Sequence, residues 1–327
     1  MRSPTVKVVL PCANEGGWVR TTIDSILEHT PRSSFEIVVS ANGDTETDFS
    51  FIERRPYRRV VRLLSTKEPL GVGRARNVAV RRGDADFYVF LDAHCLLESD
   101  DWLERGIACL EEHPGASMVQ PRVEEFTYPE GSGEGEPDPS RIERLGTERY
   151  SIRWSWPYDD PSVVAEFVTP RVYDRVFEGM AGAGMAIFAR AETFHRIGKF
   201  DAEVRGWFQE TLDYCIRGWL LGHPMLVEPR LAVLHRVKPG GGRYPNRPVH
   251  WIHGALRTAY KYLSPRRRDL VSTLFLHHGL REELRLALEW TLRGGWLEER
   301  VRCFKARVCD DDWLFSRFEV YEEPMDG

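Results

Sequence analysis

The chain alternates short apolar runs with amphipathic stretches over most of its length. Apolar runs at residues 5–10, 36–40 and 85–92 predict buried strands, because a strand covered on both faces carries apolar side chains throughout. The stretch after the first run is amphipathic at helical spacing. Its apolar positions are Val19, Ile23, Ile26 and Leu27. This alternation predicts an α/β fold with a mostly parallel central sheet flanked by helices.

The same kind of periodicity continues beyond the third strand. It predicts helices at residues 71–79, 101–113, 190–198 and 207–217, and strands at residues 116–123 and 231–236. Residues 129–139 differ, since they are rich in Pro, Gly and Glu and have too few apolar side chains to join a core. We therefore predict a mobile loop here, and it marks the clearest internal break in the pattern of helices and strands.

The C-terminal part of the chain has its own pattern. Apolar residues recur at helical spacing around residues 270–276 and 284–292 and are then interrupted by two glycines, so two or three packed helices are predicted. The basic run at residues 265–268 is interpreted as a solvated helix start, with a membrane or acceptor contact as the alternative. We therefore expect an α/β domain at residues 1–263 and a C-terminal helical extension at residues 264–327.

Composition narrows the class of protein. The 327 residues are 42% hydrophobic and 29% charged, as is typical of a soluble globular chain, and the net charge of -5 gives no general attraction to nucleic acid. We expect no transmembrane segment, since no apolar run approaches the ~20 residues that cross a bilayer. The six cysteines show no C-x-x-C pairing, so neither a zinc site nor a disulfide framework is indicated. A reduced, cytoplasmic location is expected.

The end of the third apolar run carries the first candidate chemistry. Asp92 and His94 follow this run, and ligands of parallel sheets collect at the carboxyl ends of the strands. Two positions apart on an extended chain, their side chains can share one divalent cation. The alternative is an Asp that caps the next helix and a His that packs. A second histidine, His235, follows the strand at residues 231–236 beside a basic, Gly-rich loop, and could complete a metal site.

Two other stretches carry candidate chemistry. Small residues dominate residues 178–188, where a backbone can approach a ligand closely or a strand can pack tightly on a helix. The helix at residues 207–217 places Glu210, Asp213 and Arg217 on one face, either at a site or as a surface ion pair between Asp213 and Arg217.

The order of these elements, from about residue 5 to residue 263, resembles the nucleotide-sugar glycosyltransferases of the GT-A fold. The segment PCANE at residues 11–15 resembles the P-x-x-N-E of that superfamily, and GVGRARNVA at residues 71–79 resembles its G-x-x-x-A-R-N-x-A. Within the superfamily, the chain is most similar to the polypeptide N-acetylgalactosaminyltransferases, in which Asp-x-His replaces the commoner Asp-x-Asp, as in Asp92-Ala93-His94.

Three further motifs carry this narrower resemblance. Met180-Ala181-Gly182-Ala183 is similar to the family's Met-Ala-Gly-Gly, and Glu210-Thr211-Leu212-Asp213 with Arg217 is similar to its E-N-L-E-x-x-x-R helix. The family's third metal ligand lies in a V-x-H-x-x-R segment before a Pro-Tyr-Pro loop. Val233, His235 and Tyr244-Pro245 resemble these positions.

The resemblance implies a catalytic site. Asp92, His94 and His235 would hold Mn²⁺ or Mg²⁺ against the diphosphate of a UDP-sugar such as UDP-GalNAc, UDP-GlcNAc or UDP-glucose. Glu210 and Asp213 are the catalytic candidates, with Glu210 facing the sugar or acceptor and Asp213 holding its helix in place. The implied donor contacts are Pro11, Asn14, Glu15, Asn42, Gly71, Arg76, Asn77, Ala93, Ala181, Gly182, Arg236, Lys238 and Tyr244.

Within this set, Arg76 and either Arg236 or Lys238 are the expected phosphate clamps. The glycine-rich loop at residues 239–247 is expected to fold over the donor and to exclude water, which competes with the acceptor. We expect no lectin-like module after this domain and expect the helical extension to take its place.

The chain departs from the superfamily at two positions. Many members carry Asp-Asp-Gly-Ser after the second strand, with an Asp that reads uracil, whereas Asn42 stands here and the base stays open. Inverting members carry an Asp as general base where this chain has Thr211, which favours a retaining reaction. The alternatives are an inverting family-2-type transferase acting on a small molecule or glycan, and a catalytically silent nucleotide-sugar-binding protein. The acceptor, a hydroxyl or thiol of a peptide, a glycan or a small molecule, is not resolved.

Overall fold

The computed structural model describes residues 4–30, 35–129, 137–158, 160, 162, 164–170, 174–205, 209–238 and 247–322. Two predicted segments therefore lie mostly outside the described residues. One is the Gly- and Glu-rich loop, of which residues 130–136 are outside, and the other is the loop expected to cover the donor, of which residues 239–246, including Tyr244, are outside.

A ten-stranded sheet forms the centre of the fold, and a two-stranded sheet, β8 with β9, lies beside it. Along the main sheet the order is β10, β12, β6, β11, β4, β1, β2, β3, with β5 beside β12 and β7 beside β6. In chain order the strands are β1 (Val6–Cys12), β2 (Phe35–Asn42), β3 (Val61–Thr66), β4 (Phe87–Leu91), β5 (Cys95–Leu96), β6 (Met118–Thr127), β7 (Glu143–Arg149), β8 (Ser151–Trp154), β9 (Ala165–Val168), β10 (Phe177–Gly179), β11 (Ala186–Arg190) and β12 (Met225–Arg236).

The strand directions decide where a site can form. Strands β1 to β4 run parallel, β11 lies antiparallel between β4 and β6, and β12 runs parallel to β6. The carboxyl ends of β1, β2, β4 and β12 therefore meet at one edge of the sheet, where ligands of such sheets bind. The predicted α/β class and mostly parallel sheet are confirmed.

Ten α-helices lie within the described part of the chain, and none of them is both long and apolar enough to span a bilayer. They are α1 (Trp18–Glu28), α2 (Val72–Val78), α3 (Trp102–Glu112), α4 (Ala191–Ile197), α5 (Gln209–Leu220), α6 (Pro248–Tyr262), α7 (Pro265–His277), α8 (Arg281–Arg293), α9 (Trp296–Ala306) and α10 (Asp311–Arg317). The extension has four helices, α7 to α10, not the two or three predicted. Helix α9 escaped prediction because it buries little beyond Cys303, so its pattern is weak.

Helices cover both faces of the sheet. Alternate side chains of β4 enter two different cores: Tyr88 and Phe90 pack with α4 and α5, and Val89 and Leu91 pack with α1 and α3. Every residue of β4 is buried, and this two-sided burial explains its continuous apolar run. The first of these cores continues through α6 to α10, so the extension shares a hydrophobic core with the α/β domain.

A buried ion network joins the extension to α5. Lys261 of α6 is fully buried, and its ammonium group contacts the carboxylates of Asp201, Asp213 and, at 3.3 Å, Glu299 of α9. Arg257 Nε donates to Asp201 at 2.6 Å. Burial alone would lower the pKa of Lys261, but Asp201 and Asp213 outweigh it and raise that pKa, so the lysine stays charged in the interior.

Replacing this lysine is expected to destabilise the protein strongly. Lys261→Met would leave buried carboxylates without their cation, which costs about 3–5 kcal/mol in the free energy of unfolding. Urea unfolding followed by tryptophan fluorescence measures the change. The matched control is Arg285→Met on α8, whose guanidinium is largely exposed and should contribute less than about 1 kcal/mol. Equal stability of the two variants would contradict a structural role for the network.

Candidate functional site

The three predicted metal ligands meet at the carboxyl edge of the sheet. Asp92 follows β4, and its backbone N–H donates to the carbonyl of Met185 at 2.9 Å. The chain then turns into β5, which pairs with the end of β12 so that Cys95 lies opposite His235. The N–H of Arg236 also donates to the carbonyl of His94 at 3.2 Å. This short strand pairing brings the two histidines together across 141 positions of the chain.

The ligand atoms of Asp92, His94 and His235 all lie within 4.8 Å of one another. The Nε2 atoms of the two histidines are 3.0 Å apart, and His235 Nε2 is 3.5 Å from Asp92 Oδ2. Two ligands at adjacent corners around a cation at about 2.1 Å are separated by about 3 Å, so these residues fit a divalent cation. A mixed oxygen and imidazole set is compatible with Mn²⁺ and with other divalent ions.

The electrostatics suit metal binding. Burial works to raise the pKa of Asp92, but the hydrogen bond to His235 and the charge of Arg76 outweigh it and hold that pKa well below its usual range. Burial lowers the pKa of His235, against the opposing effect of Asp92. The carboxylate is therefore ionised and the imidazole neutral near pH 7, and these are the forms that bind a metal.

Arg76, predicted to clamp phosphates, is held by protein groups in the structure. The residue is 1% exposed, and its guanidinium donates to Glu210 Oε1 at 2.8 Å, to Asp92 Oδ1 at 3.0 Å and to the carbonyl of Gly184 at 2.7 Å. Gly184 adopts a φ of +92°, a conformation that side chains rarely allow, and this turn presents its carbonyl. Arg76 thus joins two carboxylates of the site, and its part as a phosphate clamp stays a prediction.

Asp213 lies apart from the three ligands. It is fully buried, contacts the ammonium of Lys261, and accepts hydrogen bonds from Tyr262 at 3.3 Å and Thr258 at 3.4 Å. These partners enclose the carboxylate on the α6 side of α5. These contacts fit its expected part in holding α5, and its place among the catalytic candidates stays a prediction. Arg217 Nη1 contacts Glu299 at 3.9 Å and the Tyr262 hydroxyl at 3.3 Å.

The loops after β1 and β2 are joined by side chains that were predicted to bind the donor. The backbone N–H of Asn14 donates to Asp44 Oδ2 at 2.7 Å, and Asn14 Oδ1 accepts from the N–H of Thr45 at 2.9 Å. Asn42 is buried, and its Oδ1 accepts from the N–H of Leu70 at 2.6 Å. These contacts shape the loops. In the structure, the side-chain oxygen of Asn42, which was predicted to contact the nucleotide base, already accepts a hydrogen bond from Leu70.

Other predicted donor contacts are also held by protein groups. Asn77 exchanges two hydrogen bonds with the backbone of Phe200, and Ala93 is fully buried. A Cβ at Gly182 would lie 2.8 Å from Gln120 Oε1, so tight packing explains this glycine. Pro11 lies in β1 beside Ser40, Ala181 bridges to Ile152, and Gly71, with a φ of +86°, precedes α2.

Two basic residues, Arg236 at the end of β12 and Lys238 just after it, lie next to the predicted metal ligands. Lys238 Nζ donates to Glu15 Oε1 at 2.6 Å, and Glu15 Oε2 lies 3.1 Å from His94 Nδ1. Arg236 stacks its guanidinium on Trp18, 4.7 Å from the ring centroid. Sequence reasoning missed Trp18, Gln120 and Gly184 as parts of the site, and only the small-residue stretch hinted at Gly184.

Comparisons with known proteins agree with this geometry. Residues 7–158 match the sequence profile of the family described as Glycosyl transferase family 2. Over these residues the chain is similar to glycosyltransferase family 2. Polypeptide N-acetylgalactosaminyltransferase 11 of Xenopus tropicalis is 24% identical over 269 residues, which cover 80% of this chain and 43% of that protein. An inactive polypeptide N-acetylgalactosaminyltransferase-like protein 5 of Macaca fascicularis is 24% identical over 268 residues, which cover 80% and 58%.

Solved structures show the same fold. The crystal structure of GalNAc-T7 with UDP, GalNAc and Mn²⁺ superimposes with a TM-score of 0.71 at 16% identity, over 97% of this chain and 57% of that one. The predicted GT-A fold is confirmed by this match. The chain spans about half the length of the curated relatives that it matches.

Glu210 has an acidity that is unusual for a carboxyl group. It is 1% exposed at the start of α5, and its Oε2 has no hydrogen-bond partner in the part of the chain that is described. Burial raises the pKa of Glu210 to about 7, in spite of the opposing charge of Arg76. One oxygen is thus fixed by Arg76, and the other is buried without a hydrogen bond in the described residues.

This acidity predicts a pH-dependent stability. A carboxyl whose pKa rises from 4.5 to about 7 on folding binds its proton more tightly in the folded state, so its contribution to stability falls as pH rises through that window. Glu210→Gln abolishes this titration. The free energy of unfolding of the variant, relative to wild type, should therefore gain about 2–3 kcal/mol between pH 5 and pH 8.

Urea unfolding at both pH values, with chelator present, measures this difference. Glu282→Gln, at an exposed position of α8, is the control and should follow wild type. A Glu210→Gln variant that parallels wild type across the pH range would contradict the raised pKa.

Proposed function

We propose that the protein is a metal-dependent glycosyltransferase that moves a sugar from a UDP-sugar to a hydroxyl or thiol. The observation that carries the proposal is the convergence of Asp92, His94 and His235 at the carboxyl edge of a domain similar to glycosyltransferase family 2. The match to a protein solved with UDP, GalNAc and Mn²⁺ supports both the donor class and a divalent cation.

The residues of the candidate site would have separate roles in such a reaction. Asp92, His94 and His235 would hold the cation, which when bound neutralises the charge that develops on the diphosphate leaving group. Arg236 is the candidate for the phosphates, since its Nε is buried and has no hydrogen-bond partner in the described part of the chain. Glu210, through Oε2, would orient a hydroxyl of the donor sugar, while Arg76 holds the rest of that carboxylate in place.

A catalytically silent relative is the competing proposal, and one relative is itself named inactive. The complete ligand set favours activity, because a binding protein does not need two histidines and a carboxylate held within 4.8 Å of one another. The acceptor stays a proposal as well: the two relatives named as polypeptide N-acetylgalactosaminyltransferase proteins favour a peptide, with a glycan or small molecule as alternatives. All six cysteines are free thiols, which supports the cytoplasmic location that we propose.

Metal removal tests the proposed activity. Donor hydrolysis or transfer should be lost in excess chelator and should return with Mn²⁺, because the bound cation would neutralise the charge that develops on the leaving diphosphate. His235→Ala is expected to reduce turnover by at least about tenfold to 100-fold. The control is His113→Ala at the exposed end of α3, which should leave turnover unchanged. Full activity in excess chelator would overturn the metal-dependent mechanism.

The stereochemical course is proposed to be retention. Thr211 stands next to Glu210 in α5 and cannot act as a general base, whereas a departing phosphate oxygen can deprotonate an acceptor on the front face of the sugar. An α-linked donor should then give an α-linked product, which the anomeric proton coupling in NMR identifies.

Two variants accompany the NMR experiment. Thr211→Ala should retain turnover within about threefold, and Glu210→Gln should reduce it at least about tenfold through lost positioning of the sugar. A β-linked product would instead show inversion and would require a general base elsewhere in the fold.

A further inference from the structure

The two histidines of the metal cluster differ in what faces their second ring nitrogen. His94 Nδ1 lies 3.1 Å from Glu15 Oε2. Neither His94 Nδ1 nor His235 Nδ1 makes a hydrogen bond in the described residues. Among those residues, the difference is that a carboxylate oxygen lies within ion-pair distance of His94 Nδ1.

Glu15 is itself held from two sides. It is buried, with a side chain that is 8% exposed, and its other oxygen, Oε1, accepts from Lys238 Nζ at 2.6 Å. Burial tends to raise the energy of the ionised carboxylate, and the ammonium group compensates for it. Oε1 is thus held by Lys238, and Oε2, which makes no hydrogen bond in the described residues, lies against the His94 ring.

The contact has a direct consequence for His94. A neutral imidazole carries its proton on one ring nitrogen and offers a lone pair on the other. The Nε2 of His94 points toward the Nε2 of His235, 3.0 Å away, so for His94 to bind a cation there, its proton must be on Nδ1. A carboxylate next to Nδ1 favours this tautomer and makes the imidazole a stronger ligand.

We propose that Glu15 is a positioning residue that orients His94 for metal binding, with Lys238 as the counter-ion that keeps Glu15 charged. The proposal rests on the proposed function in one respect, since Asp92, His94 and His235 must hold a divalent cation. The 3.1 Å contact does not have hydrogen-bond geometry in this structure, so the proposed hydrogen bond requires the imidazole to rotate toward Glu15. Glu15 thereby acts on the donor site only through the metal ligand.

The competing explanation is that Glu15 serves only to hold Lys238. The two explanations predict different effects on metal affinity. If Glu15 acts through His94, then removing the carboxylate weakens the metal, whereas removing the ammonium from Lys238 leaves the carboxylate at His94 and changes metal affinity little. If Glu15 serves only Lys238, both variants have the same affinity as each other.

The experiment measures Mn²⁺ binding to the full chain without any donor, by titration followed by electron paramagnetic resonance of the free ion. The Kd of Glu15→Ala should rise by about 10-fold to 100-fold. Glu15→Gln should recover part of this loss, because the amide oxygen can still accept from Nδ1. Lys238→Met should stay within about threefold of wild type. Circular dichroism confirms that each variant is folded, and Glu15→Gln keeps the test informative if Glu15→Ala does not fold.

The possible results separate this proposal from the proposed function. If wild type binds one Mn²⁺ that His235→Ala loses, and Glu15→Ala and Glu15→Gln bind it as tightly as wild type, the positioning role is overturned while the metal site stands. Equal weakening in Glu15→Ala and Lys238→Met also overturns the positioning role. If wild type itself binds no Mn²⁺ in a His235-dependent way, the metal-dependent function fails, and this inference fails with it.

Discussion

The buried guanidinium of Arg76 is the interaction on which the rest of the site depends. Moving a cation out of water costs several kcal/mol unless acceptors surround it, and here Asp92, Glu210 and the carbonyl of Gly184 do so. These acceptors belong to three separate segments of the chain. Arg76 therefore ties the end of β4, the start of α5 and the turn before β11 together, and the metal cluster forms on that frame.

The same arrangement divides charge unequally between two carboxylates. Asp92 has His235 and Arg76 beside it, and together they outweigh the cost of its burial. Glu210 has Arg76 alone, so burial dominates and its pKa reaches about 7. One cation thus supports one firmly ionised carboxylate and one that is protonated about half the time near neutral pH. The ionised carboxylate is the metal ligand, and the neighbour with the higher pKa adds little repulsion to it.

Sequence reasoning placed the site but could not assign every role. The run through β4 is apolar on both faces, so the position of Asp92 and His94 at its end followed from burial. The role of Arg76 did not follow, because its partner Glu210 is 134 positions away and no local pattern encodes that contact. The resemblance placed Arg76 at this site as a phosphate clamp, but the motif did not predict its hydrogen bonds to Glu210 and Asp92. The buried network around Lys261 was equally invisible, since its charges come from α5, α6, α9 and a loop.

The motifs shared with the glycosyltransferases end at residue 263, but the hydrophobic core continues beyond this boundary. The boundary coincides with the break between α6 and α7. The hydrophobic core, however, runs on from α5 into α7, α8, α9 and α10, and all twelve residues of α5 are buried. Glu210 stands at one end of that helix, and Trp219 packs on Trp313 of α10 toward the other. The extension therefore helps to hold the helix that carries Glu210, and residues 1–263 alone would expose the α5 side of this core.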